Sequence, residues 1–311
     1  MEVYAKTTTL ILLDFPENVT LTFDTFAFTS TKSFRGIKYI DPGIHLLTYG
    51  LDKSEVGMRN GFFFIGKSGN VLAWKWNRET EQLDRMHEQI PRNELQERNQ
   101  QGKISALTAG LQSLHPYLTS VPPESEDAKT TWNDLISYVS EDLLNRVLPS
   151  DWTLTSQTPS TNDDTTEQLS SLPSSKAEAT LNFTPINLKR TFNPNAIGRE
   201  RTEQMLDKSY YLDSLIQQLP DELALLGELQ LSFLTVLYMN NFSGFETWKK
   251  LFTLFCGCKS ALRTRQQLFR NFLITLRQQF DMCTEETFNE VVLEGNFVNE
   301  NLRVSPNAIL V

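Results

Sequence analysis

Cysteine, histidine and basic charge are all scarce in this chain, and each scarcity removes a class of function. Only three cysteines, Cys256, Cys258 and Cys283, occur in 311 residues. That is too few for a disulfide framework, and Cys256-x-Cys258 lacks the second ligand pair a structural zinc site needs. Buried free thiols in a reducing compartment are expected. The three histidines are His45 in an apolar stretch, His87 in a polar turn and His115 just before Pro116. None stands beside a serine or cysteine in a nucleophile motif. A dinucleotide fingerprint is missing too, and Gly66-Lys67-Ser68-Gly69 has neither the spacing nor the following helix of a phosphate loop. The carboxylate pair Asp163-Asp164 sits in a polar stretch where nothing would shift a pKa. No catalytic, cofactor-binding or metal-ligating residue is assigned, and a non-enzymatic protein is expected.

Acidic residues outnumber basic ones throughout. Net charge is −9, with 15 Lys and Arg against 19 Asp and Glu in residues 1–150 and 14 against 19 in the remainder. Neither half carries the basic excess of a phosphate-binding surface, which argues against direct nucleic-acid binding. No apolar run approaches the ~20 residues of a membrane span. Met1-Glu2-Val3-Tyr4 does not open a secretory leader. A cytosolic or nuclear protein is expected, with the sequons at Asn18, Asn182 and Asn241 left unmodified.

What the chain does have is apolar material for two cores: 40% hydrophobic residues, including 20 Phe and five Trp. Thr9–Leu13, Val19–Phe23, Phe26–Thr29, Ile44–Tyr49, Gly61–Ile65 and Val71–Trp76 read as short strands separated by turn signals such as Asp41-Pro42-Gly43. Val19-Thr20-Leu21-Thr22-Phe23 alternates as one-sided burial requires. An antiparallel sandwich or open barrel is predicted. Helical periodicity follows, from Asn93 to about Leu114 and again over Thr131–Val139. Ser140 is placed to cap a third segment before Pro149. These helices are predicted to cover the sheet and complete a domain over residues 1–150.

Residues 151–178 are rich in Ser, Thr, Asp and Pro and read as a flexible linker. Within it, Ser160 and Thr161 each have an acid three positions on, as acidophilic kinases favour. Residues 179–295 read as an all-helical domain. Two amphipathic helices flank Pro220: Met205, Leu212, Ile216 and Leu219 mark the first, and Leu223, Leu226, Phe233 and Leu237 the second, with Asp221 as its cap. Phe245–Cys256, Ser260–Phe280 and Glu285–Leu293 supply further helices, the loop Asn240–Gly244 separating the second from the third. The fold class is thus α+β with two domains, a β-rich sandwich-like first domain with covering helices and an all-α second one. Residues 296–311 form an extended tail whose apolar end, with Ile309 and Leu310, could add a strand to a partner's sheet.

Two features suggest contact surfaces. Arg263, Arg270 and Arg277 recur every seven residues beside the apolar face of the helix predicted over Ser260–Phe280, with Lys259 and Arg265 nearby; guanidinium groups of this kind engage a partner's carboxylates. Tyr210 and Tyr211 are adjacent, so on a helix they point roughly 100° apart and one is free to anchor an interface.

Several stretches resemble one known family. Leu206-Asp207-Lys208-Ser209-Tyr210-Tyr211-Leu212 followed by Gly227-Glu228-Leu229-Gln230 is similar to the C-terminal half of the A-one-cistron splicing factors, the AAR-two family. Ser33-Phe34-Arg35-Gly36-Ile37-Lys38 running into Asp41-Pro42-Gly43-Ile44-His45 resembles its N-terminal signature, with Asp41 where proline is common. Arg59-Asn60-Gly61-Phe62 and Leu181-Asn182-Phe183-Thr184 fit in the same order. The resemblance implies a U5 snRNP assembly factor. Such a factor binds the RNase-H-like and MPN-type C-terminal domains of the large spliceosomal scaffold (pre-mRNA-processing factor eight), among U5 core proteins, and excludes the U5 helicase until maturation. It also implies release by phosphorylation, for which Ser243 is the first candidate acceptor, ahead of Ser160 and Thr161. Without the resemblance, a generic two-domain adaptor fits the residues equally well, and an RNA-binding protein is a third reading.

Overall fold

The computed structural model describes residues 6–51, 57–86, 110–121, 126–161 and 179–283. The chain divides into two compact units: residues 1–129 with 150–155, and 130–149 with 156–311.

The first unit is a sandwich of two five-stranded sheets. Its strands are β1 (Thr8–Leu13), β2 (Thr20–Phe23), β3 (Phe26–Thr29), β4 (Gly36–Ile40), β5 (Gly43–Gly50), β6 (Arg59–Gly66), β7 (Val71–Asn77), β8 (Gln82–Arg85), β9 (Leu118–Ser120) and β10 (Thr153–Thr155). One sheet runs β8-β7-β1-β4-β9 and the other β10-β6-β5-β2-β3. Strand β2 buries Leu21 and Phe23 and turns its threonines outward, as its alternation dictates. Side chains of both sheets share one core, among them Leu10, Ile37 and Trp74 from one and Leu21, Leu47 and Phe62 from the other. Phe62 and Trp74 stack at 4.3 Å across it.

The predicted strands are all present, but the sheets are not purely antiparallel: β1 pairs with β7, and β4 with β9, in parallel. Parallel neighbours need long crossovers, so local turn signals could not announce them. Gly36 shows why the signature glycine is needed. Its φ is +141°, and a Cβ there would sit 2.0 Å from the carbonyl oxygen of Leu10 on the paired strand. A short helix α1 (Leu111–Leu114) and a single 3-10 turn (His115–Tyr117) lead into β9.

The second unit is helical. It takes in most of α2 (Glu126–Leu135) and all of α3 (Glu141–Val147), then α4 (Gly198–Leu206), α5 (Ser209–Ile216), α6 (Ala224–Met239), α7 (Phe242–Cys256), α8 (Ala261–Thr264) and α9 (Gln266–Asp281). Five boundaries differ from the predicted ones. Residues 130–149, expected to finish the sheet domain, belong to the helical unit, where Leu143, Leu144 and Val147 are buried. Ser140 does cap α3, accepting the Leu143 amide at 3.1 Å. The stretch expected as linker begins as structure: Thr153–Thr155 forms β10 against β6, while Thr158 and Ser160 are buried.

The helix expected before Pro220 is two, α4 and α5, broken at Asp207, and Met205 on the first is exposed. Asp221 does accept the Leu223 and Ala224 amides at the start of α6. Likewise the run from Ser260 to Phe280 is interrupted at Arg265, whose φ and ψ of −125° and 48° leave the helical region. Leu273 on α9 is exposed. The loop expected over Asn240–Gly244 shrinks to Asn240, in the left-handed conformation, and Asn241, whose side chain caps α7 by accepting the Gly244 amide. The predicted helix before Leu111, most of the linker, Glu285–Leu293, His87 and the tail with Ile309 and Leu310 lie outside the described residues.

Candidate functional site

The motif residues of the helical unit turn inward and clamp it. Glu228, on α6, is fully buried. It accepts the amide and hydroxyl of Thr184 at 2.8 and 2.5 Å, and Arg146 of α3 lies 2.7 Å from it. Two residues on, Gln230 accepts the Tyr138 amide at 2.7 Å and donates to the Asp134 carbonyl and the Ser137 hydroxyl. One residue before Glu228, α6 approaches the α2–α3 connection so closely that a Cβ on Gly227 would meet the Tyr138 carbonyl oxygen at 2.4 Å. Gly227-Glu228-Leu229-Gln230 is thus a joint between segments distant in sequence.

Asp207 makes a second joint. One carboxylate oxygen accepts the amide and hydroxyl of Ser209, and the other accepts those of Ser260. Burial alone would lift this carboxyl, but the Ser209 and Ser260 bonds outweigh it and hold the pKa below the usual carboxylate range. The Ser209 hydroxyl in turn accepts the Ala261 amide at 2.8 Å. The break between α4 and α5 is therefore fastened to the start of α8.

The two tyrosines separate as their angular offset requires. Tyr210 is exposed. Tyr211 accepts the Asn187 amide on its hydroxyl at 2.8 Å and so serves the fold. The arginines separate as well. Arg263 lies on α8, whereas Arg270 and Arg277 lie on α9, and all three are exposed. Arg265, between them, bonds Asp213 and Glu222 at 2.8 Å each and ties α5 and the start of α6 to the break before α9.

Of the candidate phosphorylation sites, Ser243 and Ser160 are buried against each other and Thr161 is exposed. Ser243 sits in the first turn of α7, not in an open loop. The Thr161 amide donates to the Leu181 carbonyl at 3.0 Å, and its hydroxyl reaches the same oxygen at 3.4 Å while the residue stays exposed.

A pair in the first unit was missed at the sequence level. His45 Nδ1 lies 2.7 Å from Asp24 Oδ2, and its Nε2 lies 2.8 Å from the Asp41 carbonyl oxygen. The ring stacks on Phe23 at 5.3 Å. No local pattern marks this partnership, because Asp24 and His45 meet only through the pairing of β2 with β5. Among the described residues no group of three or more potential ligands could hold a metal ion, and no helix is long and apolar enough to cross a membrane.

The chain matches two family models, the AAR2 N-terminal domain over residues 6–149 and the AAR2 C-terminal repeat region over residues 183–307. Among curated relatives it is 27% identical to the human protein AAR2 homolog, over 95% of this chain and 81% of that protein. It is 25% identical to the Caenorhabditis elegans protein AAR2 homolog, over 94% and 84%. It is also 25% identical to the A1 cistron-splicing factor AAR2 of Saccharomyces cerevisiae, over 92% and 82%. Both segments match in order, and the clamping residues Asp207, Glu228 and Gln230 fall inside the second match. The chain belongs to the AAR2 family.

Proposed function

We propose that this protein is a non-enzymatic U5 snRNP assembly factor in pre-mRNA splicing. It would bind the C-terminal RNase-H-like and MPN-type domains of the large spliceosomal scaffold and keep the U5 helicase off that protein until the particle matures. The observation that carries this reading is the match over 92% of this chain and 82% of a yeast relative named for splicing, beside the matches to both family models. The structure supports it in one respect: the motif residues serve as internal clamps, which leaves the work to surfaces, as a steric competitor requires.

The protein would act in the cytoplasm and the nucleus, entering the particle early and leaving late. Release by phosphorylation remains part of the proposal, with Thr161 the accessible acceptor of the three. Affinity purification of the tagged full chain, with partners identified by mass spectrometry, tests the reading. Recovery of the scaffold and U5 core proteins with the helicase depleted is expected. Recovery of helicase-containing particles, or of no splicing protein, would replace it with an adaptor of another pathway.

A further inference from the structure

We infer that the outer face of α9 is a docking surface for an acidic amphipathic helix of a partner protein. Helix α9 buries Leu268, Phe269, Phe272, Thr275, Leu276 and Gln279. Phe272 stacks on Phe255 at 4.5 Å, and Gln279 accepts the Trp248 indole N–H at 2.9 Å, so the helix is fixed in its rotation. That rotation turns Arg270, Leu273, Ile274 and Arg277 outward, and their spacing of three, four and seven places them in one stripe.

Leu273 and Ile274 are 41% and 44% exposed at the centre of the stripe. A guanidinium stands at each end, about 10 Å apart along the axis at 1.5 Å per residue. Among the described residues Arg270 and Arg263 pair with no carboxylate, and Arg277 reaches only Asp281, at 3.8 Å between exposed side chains. The two cations bracket aliphatic side chains, one of them without a carboxylate partner among the described residues and the other held only by a long exposed contact, on a chain of net charge −9. They define the complement: a helix carrying two carboxylates seven residues apart with two apolar side chains between them.

Charge spacing selects the occupant. The chain's own segment after α9 is acidic, with Glu285, Glu286, Glu290, Glu294 and Glu300, but no two of these are seven apart. A separate protein must supply the matching helix, and the inference holds whether or not that protein belongs to the spliceosome.

The test uses the full-length protein and a fluorescent alanine-rich helical peptide bearing Glu-x-x-Leu-Leu-x-x-Glu, followed by anisotropy at low and at physiological salt. Saturable binding is expected, weaker at the higher salt. The double variant Arg270→Glu/Arg277→Glu should lose roughly tenfold or more in affinity, the scale of two charge-assisted contacts. A peptide with Lys in place of both Glu should restore binding to that variant, a rescue that a misfolded protein could not give. Absence of saturable binding, or binding indifferent to charge reversal on both sides, overturns the inference. So does sedimentation showing that Leu273→Lys converts a dimer to a monomer, which would make a second copy the occupant.

Discussion

The amide of Ser160 donates a 3.2 Å hydrogen bond to the hydroxyl of Ser243, joining residues 83 apart in sequence. Ser160 is 1% and Ser243 6% exposed. Asn241 reinforces the contact by donating to the Thr158 carbonyl at 2.9 Å. The segment after β10 is thereby seated on the first turn of α7.

Replacing Ser243 tests that seat. Ser243→Ala removes one acceptor and should lower unfolding free energy by about 1 kcal/mol. Ser243→Glu also places a charge in a buried site, and about 2–4 kcal/mol should be lost. Urea denaturation of both variants measures the difference. A Ser243→Glu protein as stable as the parent would mean that the segment lifts readily, and would return Ser243 to the list of accessible acceptors.

The Glu228 clamp makes a steeper prediction. Arg146→Ala leaves a fully buried carboxylate with only the Thr184 groups to satisfy it. Breaking a buried pair from one side costs about 3–5 kcal/mol, and because the Arg146 side chain is about a third exposed the lower end is expected. The double variant Arg146→Met/Glu228→Gln should recover part of that loss, since no charge is then stranded. Equal stability of Arg146→Ala and the parent would show that water reaches Glu228.

The pair Asp24–His45 should make the first unit sensitive to alkaline pH. The Asp41 carbonyl can only accept, so Nε2 must carry a proton, and a second proton lies between Nδ1 and Asp24. The pair thus holds one proton more than neutral imidazole and carboxylate would. Burial opposes the charged ring, but the charge and hydrogen bond of Asp24 prevail and raise the His45 pKa above its ordinary 6.5. Burial also raises Asp24. A raised folded-state pKa contributes stability below about 6.5, the unfolded value, and loses it as pH climbs through the folded one. Unfolding midpoints should therefore fall above neutrality. His45→Gln should flatten that slope; an unchanged slope in this variant would place the proton elsewhere.

Tyr210 and Tyr211 should divide cleanly. Tyr211→Phe deletes the acceptor for the Asn187 amide and should cost about 1 kcal/mol. Tyr210→Ala removes an exposed ring and should change stability by less than about 0.5 kcal/mol. If Tyr210 anchors the scaffold, the second change should weaken that binding while the first does not. Thermal melts paired with a scaffold pull-down separate the two effects.

The sequence by itself determined six of the ten strands and the main helices of the second unit, though not β4, β8, β9 or β10, nor the breaks at Asp207 and Arg265. Alternation in β2, periodicity in α7, Ser140 as the cap of α3, the turn that Asp221 makes ahead of α6 and the breaking power of Pro220 are local properties, set by residues within a turn or two. It also determined family membership, because motif order survives without coordinates. Only the tertiary structure decided what those motifs do. Asp207 reaches Ser260, Glu228 reaches Thr184 and Arg146, and Ser160 reaches Ser243 across separations of tens of residues that no local pattern encodes. The break at Arg265 was hidden for the same reason: its ion pairs with Asp213 and Glu222 hold a backbone conformation that helical periodicity did not foresee. That break moved Arg263 off the predicted stripe. The rotation of α9, fixed by Phe272 and Gln279 against α7, exposed Leu273 and Ile274 between the two arginines that remain.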